Sequence, residues 1–290
     1  MLSAIFKSLR PLQWIKNFVL FAALVFAGEV LNLDKALLSV IGFIIFCLLS
    51  SSIYVINDLI DKSKDKLHPL KKDRPIASGE ISSTTALTIS ILLLVISLSL
   101  SFYISLNFFI ISLSFIILNL LYTFILKNVV IIDVLTIALS FVIRAHAGAV
   151  IISVPTSKWM LINTLLLALF LGFGKRRHEL IFLKHTASEH RKSLGKYSPY
   201  LLDQLIGVVT GAVVVMYMLY SFSPEVSQKL GTENLFLTIP FVIYGIFRYL
   251  YLIHREEEGG SPSNILISDR PILLTVLFWI LTVIITLYLL

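Results

Sequence analysis

Nine apolar runs, at roughly 12–28, 36–59, 82–104, 106–126, 129–152, 158–174, 200–222, 234–254 and 271–290, govern what this chain can fold into. A helix needs about 20 residues to cross a hydrocarbon core of about 30 Å, and most of these runs meet that length. No water reaches backbone N–H and C=O groups inside a bilayer, so runs of this kind have to be helices. With 57% hydrophobic and only 14% charged residues, a soluble domain of 290 residues has no way to hide so much apolar surface. The expected fold is all-α, a polytopic membrane helical bundle of about nine transmembrane helices. The run beginning near Trp14 lacks a small-residue cleavage site and reads as a first span rather than a cleaved signal. Only Ser105-Leu106-Asn107 separates the third and fourth runs, which predicts a tight helical hairpin. Cys47, the one cysteine, lies inside an apolar run and reads as a small packing residue.

The charges fall mainly on one side of this arrangement. The segments 7–16, 62–74, 175–196 and 248–270, together with Lys127, carry most of the basic residues, whereas the opposite side has Lys35, Lys158 and Lys229. Cytoplasmic loops carry the Lys/Arg excess in membrane proteins, so the N-terminus is expected inside and the C-terminus outside. The net charge of +7 is thus a topology signal first, and argues for a bilayer rather than a nucleic-acid partner. It also gathers cations where an anionic substrate in the cytoplasm would meet them.

The densest chemistry lies where the second run ends, in Asn57-Asp58-Leu59-Ile60-Asp61-Lys62-Ser63-Lys64-Asp65. Spacings of three and four put Asn57, Asp58, Asp61 and Asp65 near one face of a helix. Carboxylates that close repel one another unless protons or a cation intervene. Hard oxygen ligands suit Mg²⁺, which characteristically bridges a few carboxylates to substrate phosphates. Asp58, Asp61 and Asp65 are therefore the expected metal ligands. The stretch continues through His68-Pro69 and Lys71 to Arg74-Pro75, cations placed to neutralise phosphate. The bland alternative, a solvated basic loop, has no need of three Asp on one face.

Other polar groups fall at or inside the spans. Lys16 and Asn17 follow Arg10-Pro11-Leu12-Gln13-Trp14, which also reads as an interfacial anchor. Tyr122 and Lys127 lie at the end of the fourth run. Asp133 and Arg144 share the fifth helix, about three turns and 16 Å apart. A guanidinium near mid-bilayer is costly and needs a polar partner or an anion. Gly148, one turn beyond, would admit a close approach. His146 points elsewhere and reads as a satisfied core histidine. Lys175-Arg176-Arg177-His178-Glu179 ends the sixth run and reads either as a basic helix end or as a second anion-binding wall. Arg191 and Tyr197 extend that surface. The stretch Glu256-Glu257-Glu258-Gly259-Gly260-Ser261-Pro262 reads as a flexible connector or lid.

The pattern Asn57-Asp58-x-x-Asp61-x-x-x-Asp65 followed by Arg74-Pro75, on a nine-run chain, resembles the UbiA-type membrane prenyltransferase superfamily. Within it, the chain is most similar to the branch that transfers phosphoribose to polyprenyl phosphates. Arg10-Pro11-x-Gln13-Trp14-x-Lys16-Asn17, His68-Pro69-x-Lys71, the Asp133…Arg144…Gly148 helix and Gly174-Lys175-Arg176 with Glu179 carry that likeness. Members acting on aromatic acceptors usually have a second aspartate-rich motif after the sixth helix. Here that place is basic, which suits a second phosphorylated substrate.

The resemblance implies a single transmembrane catalytic domain over residues 1–290, in a bacterial inner membrane with its active site facing the cytoplasm. The implied reaction moves a 5-phosphoribosyl group from phosphoribosyl diphosphate to a decaprenyl-type polyprenyl phosphate, with Mg²⁺ as cofactor, towards envelope glycan precursors. Asp58 and Asp61 would hold the cation-bound diphosphate, with Asp65 beside them. Asn57 would orient a phosphate or ribose hydroxyl, and Asp133 would stabilise the oxocarbenium-like charge. The substrate-binding set would comprise Lys16, Asn17, Asn57, Lys71, Arg74, Tyr122, Lys127, Arg144, Lys175, Arg176, Glu179, Arg191 and Tyr197. The competing readings are prenyl transfer to an aromatic acceptor and a lipid or solute transporter. A homo-oligomer is compatible with the sequence.

Overall fold

A computed structural model describes residues 2–67, 71–183, 192–255 and 262–289. Among them every regular element is a helix. A short helix α1 (Leu2–Ser8) leads into α2 (Pro11–Phe26), and α3 (Leu33–Ile60) follows. The polar segment beyond it contains two short helices, α4 (Lys62–Leu67) and α5 (Pro75–Ser78). Then come α6 (Ser83–Ile104), α7 (Leu106–Phe124), α8 (Ile132–Ile151), α9 (Lys158–Leu183) and α10 (Pro199–Ser221). The chain closes with α11 (Pro224–Leu230), α12 (Asn234–Arg255), α13 (Pro262–Ser268) and α14 (Arg270–Tyr288).

Eight of these, α3, α6 to α10, α12 and α14, are long and apolar enough to cross a membrane. The chain is thus a multi-pass membrane protein. The ninth expected span, α2, is a shorter apolar helix and is not among these eight. Eleven of its residues form a 3-10 helix and five an α-helix. At about 2.0 and 1.5 Å rise per residue it reaches about 30 Å.

Local signals set several boundaries. Asn32, Ser82, Ser105, Ser198 and Asp269 each accept from a backbone N–H three residues on, capping α3, α6, α7, α10 and α14. Ser105 alone separates α6 from α7, the tight hairpin expected there. The sixth span corrects the sequence reading, since α9 runs on to Leu183 instead of ending near residue 174. Strong helix formers follow the apolar run, and Glu179 pairs back to Lys175 (3.8 Å) and Arg176 (2.5 Å) at helical spacing. The polar segment after α3 is also partly helical. Pro75 starts α5 and Gly79, at φ 89°, ends it in the left-handed region that glycine alone adopts freely.

The chain groups into two units. The first comprises Met1–Val25, Glu29–Leu126 and Ile143–Thr156. The second comprises Phe26–Gly28, Lys127–Val142 and Ser157–Leu290.

In the first unit, Val55, Ile76, Ile81, Ala86 and Ala4 form one buried cluster. Phe46 packs its ring against Phe108 and Phe115. On α6 the usual pattern is inverted: Ser90, Ser97 and Ser101 are buried while Ile91, Leu92, Val95 and Phe102 are exposed. Lipid accepts apolar side chains as well as a core does, so small and hydroxylic residues take the helix contacts. Ser52 and Ser90 hydrogen-bond at 2.9 Å, and Ser101 donates to Ser112 at 3.1 Å. Such bonds within membranes contribute about 0.6 kcal/mol each. Gly148 packs so tightly on Leu20 that a β-carbon there would lie 2.0 Å from the Leu20 carbonyl oxygen.

In the second unit, Val134, Phe170, Leu202, Ile206, Tyr249 and Ile253 belong to the main buried cluster. Gly172 faces Val134, and Gly174 faces Ile253 and Tyr249, at distances that leave no room for a β-carbon without movement.

Candidate active site

The aspartate motif folds into a buried ion cluster in the first unit. Asp58 and Asp65 have side chains only 3% and 5% exposed. Both are held by one guanidinium: Arg74 Nη1 donates to Asp58 Oδ1 at 2.9 Å and to Asp65 Oδ2 at 2.6 Å. Arg10 Nη2 donates to the same Asp58 oxygen. Burying two carboxylates is tolerable only with such charge-assisted partners. Asp61 caps the C-terminus of α3 with φ −89° and ψ 6°, and Asp65 sits on α4. Asp61 N–H still donates to the Asn57 carbonyl (2.9 Å) and Asp65 N–H to the Asp61 carbonyl (2.8 Å), so helical bonding carries through the motif. Among the described residues, no three His, Cys, Asp or Glu side chains are grouped to hold a metal by themselves.

Asn57, next in the chain to Asp58, is fixed across the unit: Thr123 donates to its Oδ1, and Thr123 also donates to the Asn119 carbonyl at 2.8 Å. Tyr54 provides a platform one turn earlier, with Arg10 5.2 Å and Lys16 6.0 Å from its ring centre. Beside Lys16, Asn17 is fully buried. Its amide donates to Cys47 Sγ at 3.3 Å, and its Oδ1 accepts from Arg144 Nε at 2.8 Å. Arg144 is 4% exposed and lies 4.6 Å from the Phe115 ring centre. Asn17 is thus a polar partner of the kind a deep guanidinium demands. Lys71 and Tyr122, also in this unit, are half-buried. His146 is engaged by Thr156 at 2.9 Å.

The second unit places the remaining candidates in a different setting. Asp133 is fully buried and accepts from Arg176 Nε (2.7 Å), Tyr197 Oη (2.8 Å) and Ser193 Oγ (3.3 Å). Arg176, 1% exposed, also donates to Glu179 at 2.5 Å. Burial, reinforced by the Asp133 charge, pushes the Tyr197 phenol well above its ordinary range, so it remains a donor. Tyr197 Oη in turn accepts from the N–H of Ile131, a β-branched residue held at φ 69°. Ser193 also donates to the Lys127 carbonyl at 2.9 Å. Asp133, Arg176 and Tyr197, set against substrate in the sequence reading, are bonded to one another here, and Arg176 also reaches Glu179, whose side chain is 26% exposed. Lys127 and Lys175 remain partly exposed. Arg191, His68, Pro69 and the stretch 256–261 lie outside the described residues.

Sequence reasoning missed Arg10, Tyr54 and Thr123 as members of these clusters. Arg10 had a signal in its place before Pro11, but it read as an interfacial anchor. Its backbone sits at φ 53°, ψ 61°. Non-glycine residues in that region are uncommon and cluster at functional sites.

The donor set fits a hard divalent cation carried with phosphates. Mg²⁺ keeps several waters and uses one or two carboxylates plus substrate oxygens, not an all-protein cage. Two buried carboxylates with Arg10, Arg74, Lys16 and Arg144 in the same unit match that requirement.

Comparison with known proteins agrees. A model of the UbiA prenyltransferase family matches residues 17–264. The chain is 35% identical to decaprenyl-phosphate phosphoribosyltransferase of Mycolicibacterium smegmatis, over 98% of this chain and 92% of that protein. It is 32% identical to the Corynebacterium glutamicum protein of the same name, over 97% and 86%. A UbiA homologue from Archaeoglobus fulgidus, solved bound to GPP and Mg²⁺, has the same fold, with a TM-score of 0.73 over 97% of this chain and 99% of that one at 22% identity. By motif, helical architecture and full-length likeness, the chain belongs to the UbiA prenyltransferase family.

Proposed function

We propose that this protein transfers a 5-phosphoribosyl group from phosphoribosyl diphosphate to a decaprenyl-type polyprenyl phosphate, releasing diphosphate. The observation that carries this reading is the full-length likeness to two decaprenyl-phosphate phosphoribosyltransferases. The chemistry of the first unit supports it. Asp58 and Asp65, with Asp61 beside them, would hold a divalent cation, Mg²⁺, which when bound neutralises the donor's diphosphate and eases its departure. Arg74, Lys71 and Lys16 bind diphosphate oxygens, and Asn57 orients the donor through its amide. From the sequence pattern alone, Lys127, Lys175 and Arg191 are further candidates for binding a phosphorylated substrate.

Arg144 deep in the bundle suits the lipid phosphate, because a guanidinium grips phosphate oxygens in pairs. The acceptor phosphate is already ionised, so the reaction needs no strong general base. Its oxygen attacks the anomeric carbon as diphosphate leaves, with inversion. Residues that place charge against the leaving group contribute most.

The basic loops and the positive-inside rule support an active site facing the cytoplasm, the N-terminus inside, and a bacterial inner membrane. The product would be a pentose donor precursor for envelope glycans.

The test uses detergent-purified protein with Mg²⁺. Labelled phosphoribosyl diphosphate with polyprenyl phosphate should yield labelled lipid, and prenyl diphosphate with aromatic acids should not. Asp58→Asn should abolish turnover while the protein still inserts and folds. Turnover only in the prenyl mixture, or a fully active Asp58→Asn protein, would overturn the reading.

A further inference from the structure

We propose that Arg10 and Arg74 exchange partners when substrate binds. They leave the carboxylates of Asp58 and Asp65 for the oxygens of the donor's diphosphate, so the divalent cation and the diphosphate enter only together. This rests on the assignment of the aspartate motif to a cation-bound diphosphate. It also makes Arg10 a substrate-binding residue.

Two kinds of partner compete for the same atom. Asp58 Oδ1 accepts from Arg10 Nη2 and from Arg74 Nη1, and the latter atom also serves Asp65 Oδ2 at 2.6 Å. A carboxylate oxygen engaged by two guanidiniums has its lone pairs committed. A hard cation that prefers oxygen ligands at about 2.0–2.1 Å cannot share it with them. The cation and the arginines are therefore alternatives at Asp58 Oδ1, and a cation seated on the other oxygen, Oδ2, would stand beside two guanidiniums of like charge.

The two sides of the cluster differ in exposure. The carboxylates are 3% and 5% exposed, whereas Arg10 and Arg74 are 25% and 28% exposed. The arginines border water and the aspartates do not. Arg10 also lies against the Tyr54 ring, which it shares with Lys16, so phosphate oxygens arriving there would meet two cations.

Charge gives the direction. Two carboxylates and two guanidiniums nearly cancel. A divalent cation alone would add uncompensated positive charge at a buried site, which is costly. Diphosphate alone would meet guanidiniums already engaged and carboxylates that repel it. Arriving together, the cation takes the carboxylates and the phosphate oxygens take the guanidiniums, each pairing charge-assisted. The result is positive cooperativity between cation and diphosphate, a coupling that linkage makes reciprocal.

The experiment measures binding, not turnover, on the detergent-purified full chain. Mn²⁺ is titrated alone and with inorganic diphosphate, by electron paramagnetic resonance and calorimetry. Wild type should bind Mn²⁺ at least about tenfold more tightly when diphosphate is present, within the range of ordinary coupling energies. Arg10→Ala and Arg74→Ala should bind Mn²⁺ alone more tightly than wild type, bind diphosphate more weakly, and lose most of the coupling. Arg10→Lys keeps the charge and should fall between, which keeps the test open if the alanine variants do not fold. Lys7→Ala removes an equal charge from an exposed side chain that donates to the Asp73 carbonyl, and should behave as wild type.

Arginine variants, Lys included, with unchanged Mn²⁺ affinity would overturn the exchange, as would a Lys7 variant that shifts equally, since that shows a general field effect. Coupling retained in a protein that transfers no phosphoribose would instead overturn the function and leave the exchange standing.

Discussion

Arg144 donates from Nε to Oδ1 of Asn17 at 2.8 Å, with both side chains shut away from water. The bond joins α2 to α8 within the first unit, and sets where a deep positive charge can point. Leaving a buried charged donor without this acceptor costs about 1–3 kcal/mol. Asn17→Ala should therefore lower the thermal unfolding temperature in detergent, and Asn17→Asp, which keeps the acceptor, should lower it less. An alanine variant as stable as wild type would show that Arg144 is held by other groups.

Gly148 and Gly42 make a paired prediction. A β-carbon at Gly148 meets the Leu20 backbone oxygen at 2.0 Å, whereas at Gly42 it meets the end of the Ile151 side chain at 2.7 Å. Backbone cannot rotate away and a side chain can. Gly148→Ala should cost about 1–3 kcal/mol or more, the range of overpacking, and Gly42→Ala clearly less. Chemical unfolding of the two purified variants decides this, and equal losses would contradict it.

The Asp133–Arg176 pair predicts a double-mutant cycle. Removing one partner of a buried ion pair costs about 3–5 kcal/mol, because the other is stranded. Asp133→Leu and Arg176→Met should each destabilise strongly, and the double variant should lose much less than the sum. Additive losses would mean the two side chains act independently.

Tyr197→Phe isolates one hydroxyl of the same network. It removes a donor to Asp133 and an acceptor for the Ile131 N–H. The expected loss is about 1–3 kcal/mol in unfolding free energy, with the Ile131 amide exchanging its hydrogen faster. Unchanged exchange at Ile131 would remove the hydroxyl from that role.

A pH dependence follows from Asp269. Hydrogen bonding from Arg248 holds its carboxyl below the ordinary range, aided by the Ile272 N–H it caps. A carboxyl depressed in the folded state adds stability above its unfolded pKa of about 3.9, and that stability disappears as pH falls through the lower folded value. Wild type and Asp269→Asn should therefore differ most in thermal stability near neutral pH and converge in acid. A difference that grows in acid would reverse the assignment.

Apolar run length and capping residues act locally, so the membrane class, the order of the helices and the tight hairpin at Ser105 were legible in the chain before it folded. The aspartate motif was legible too, since carboxylates at helical spacing beside a bilayer must be matched by cations. Which cations match them is not a local property. Asp58 and Asp65 drew Arg10 and Arg74, while Asp133 drew Arg176 and Tyr197. Run length also misplaced the end of α9, where ion pairs one turn apart extended a helix past its apolar stretch. Asp58 and Asp65 ended within reach of partly exposed arginines, and Asp133 fully buried, through contacts between residues distant in the chain. Burial and pairing are set by those long-range contacts, and no local spacing encodes them.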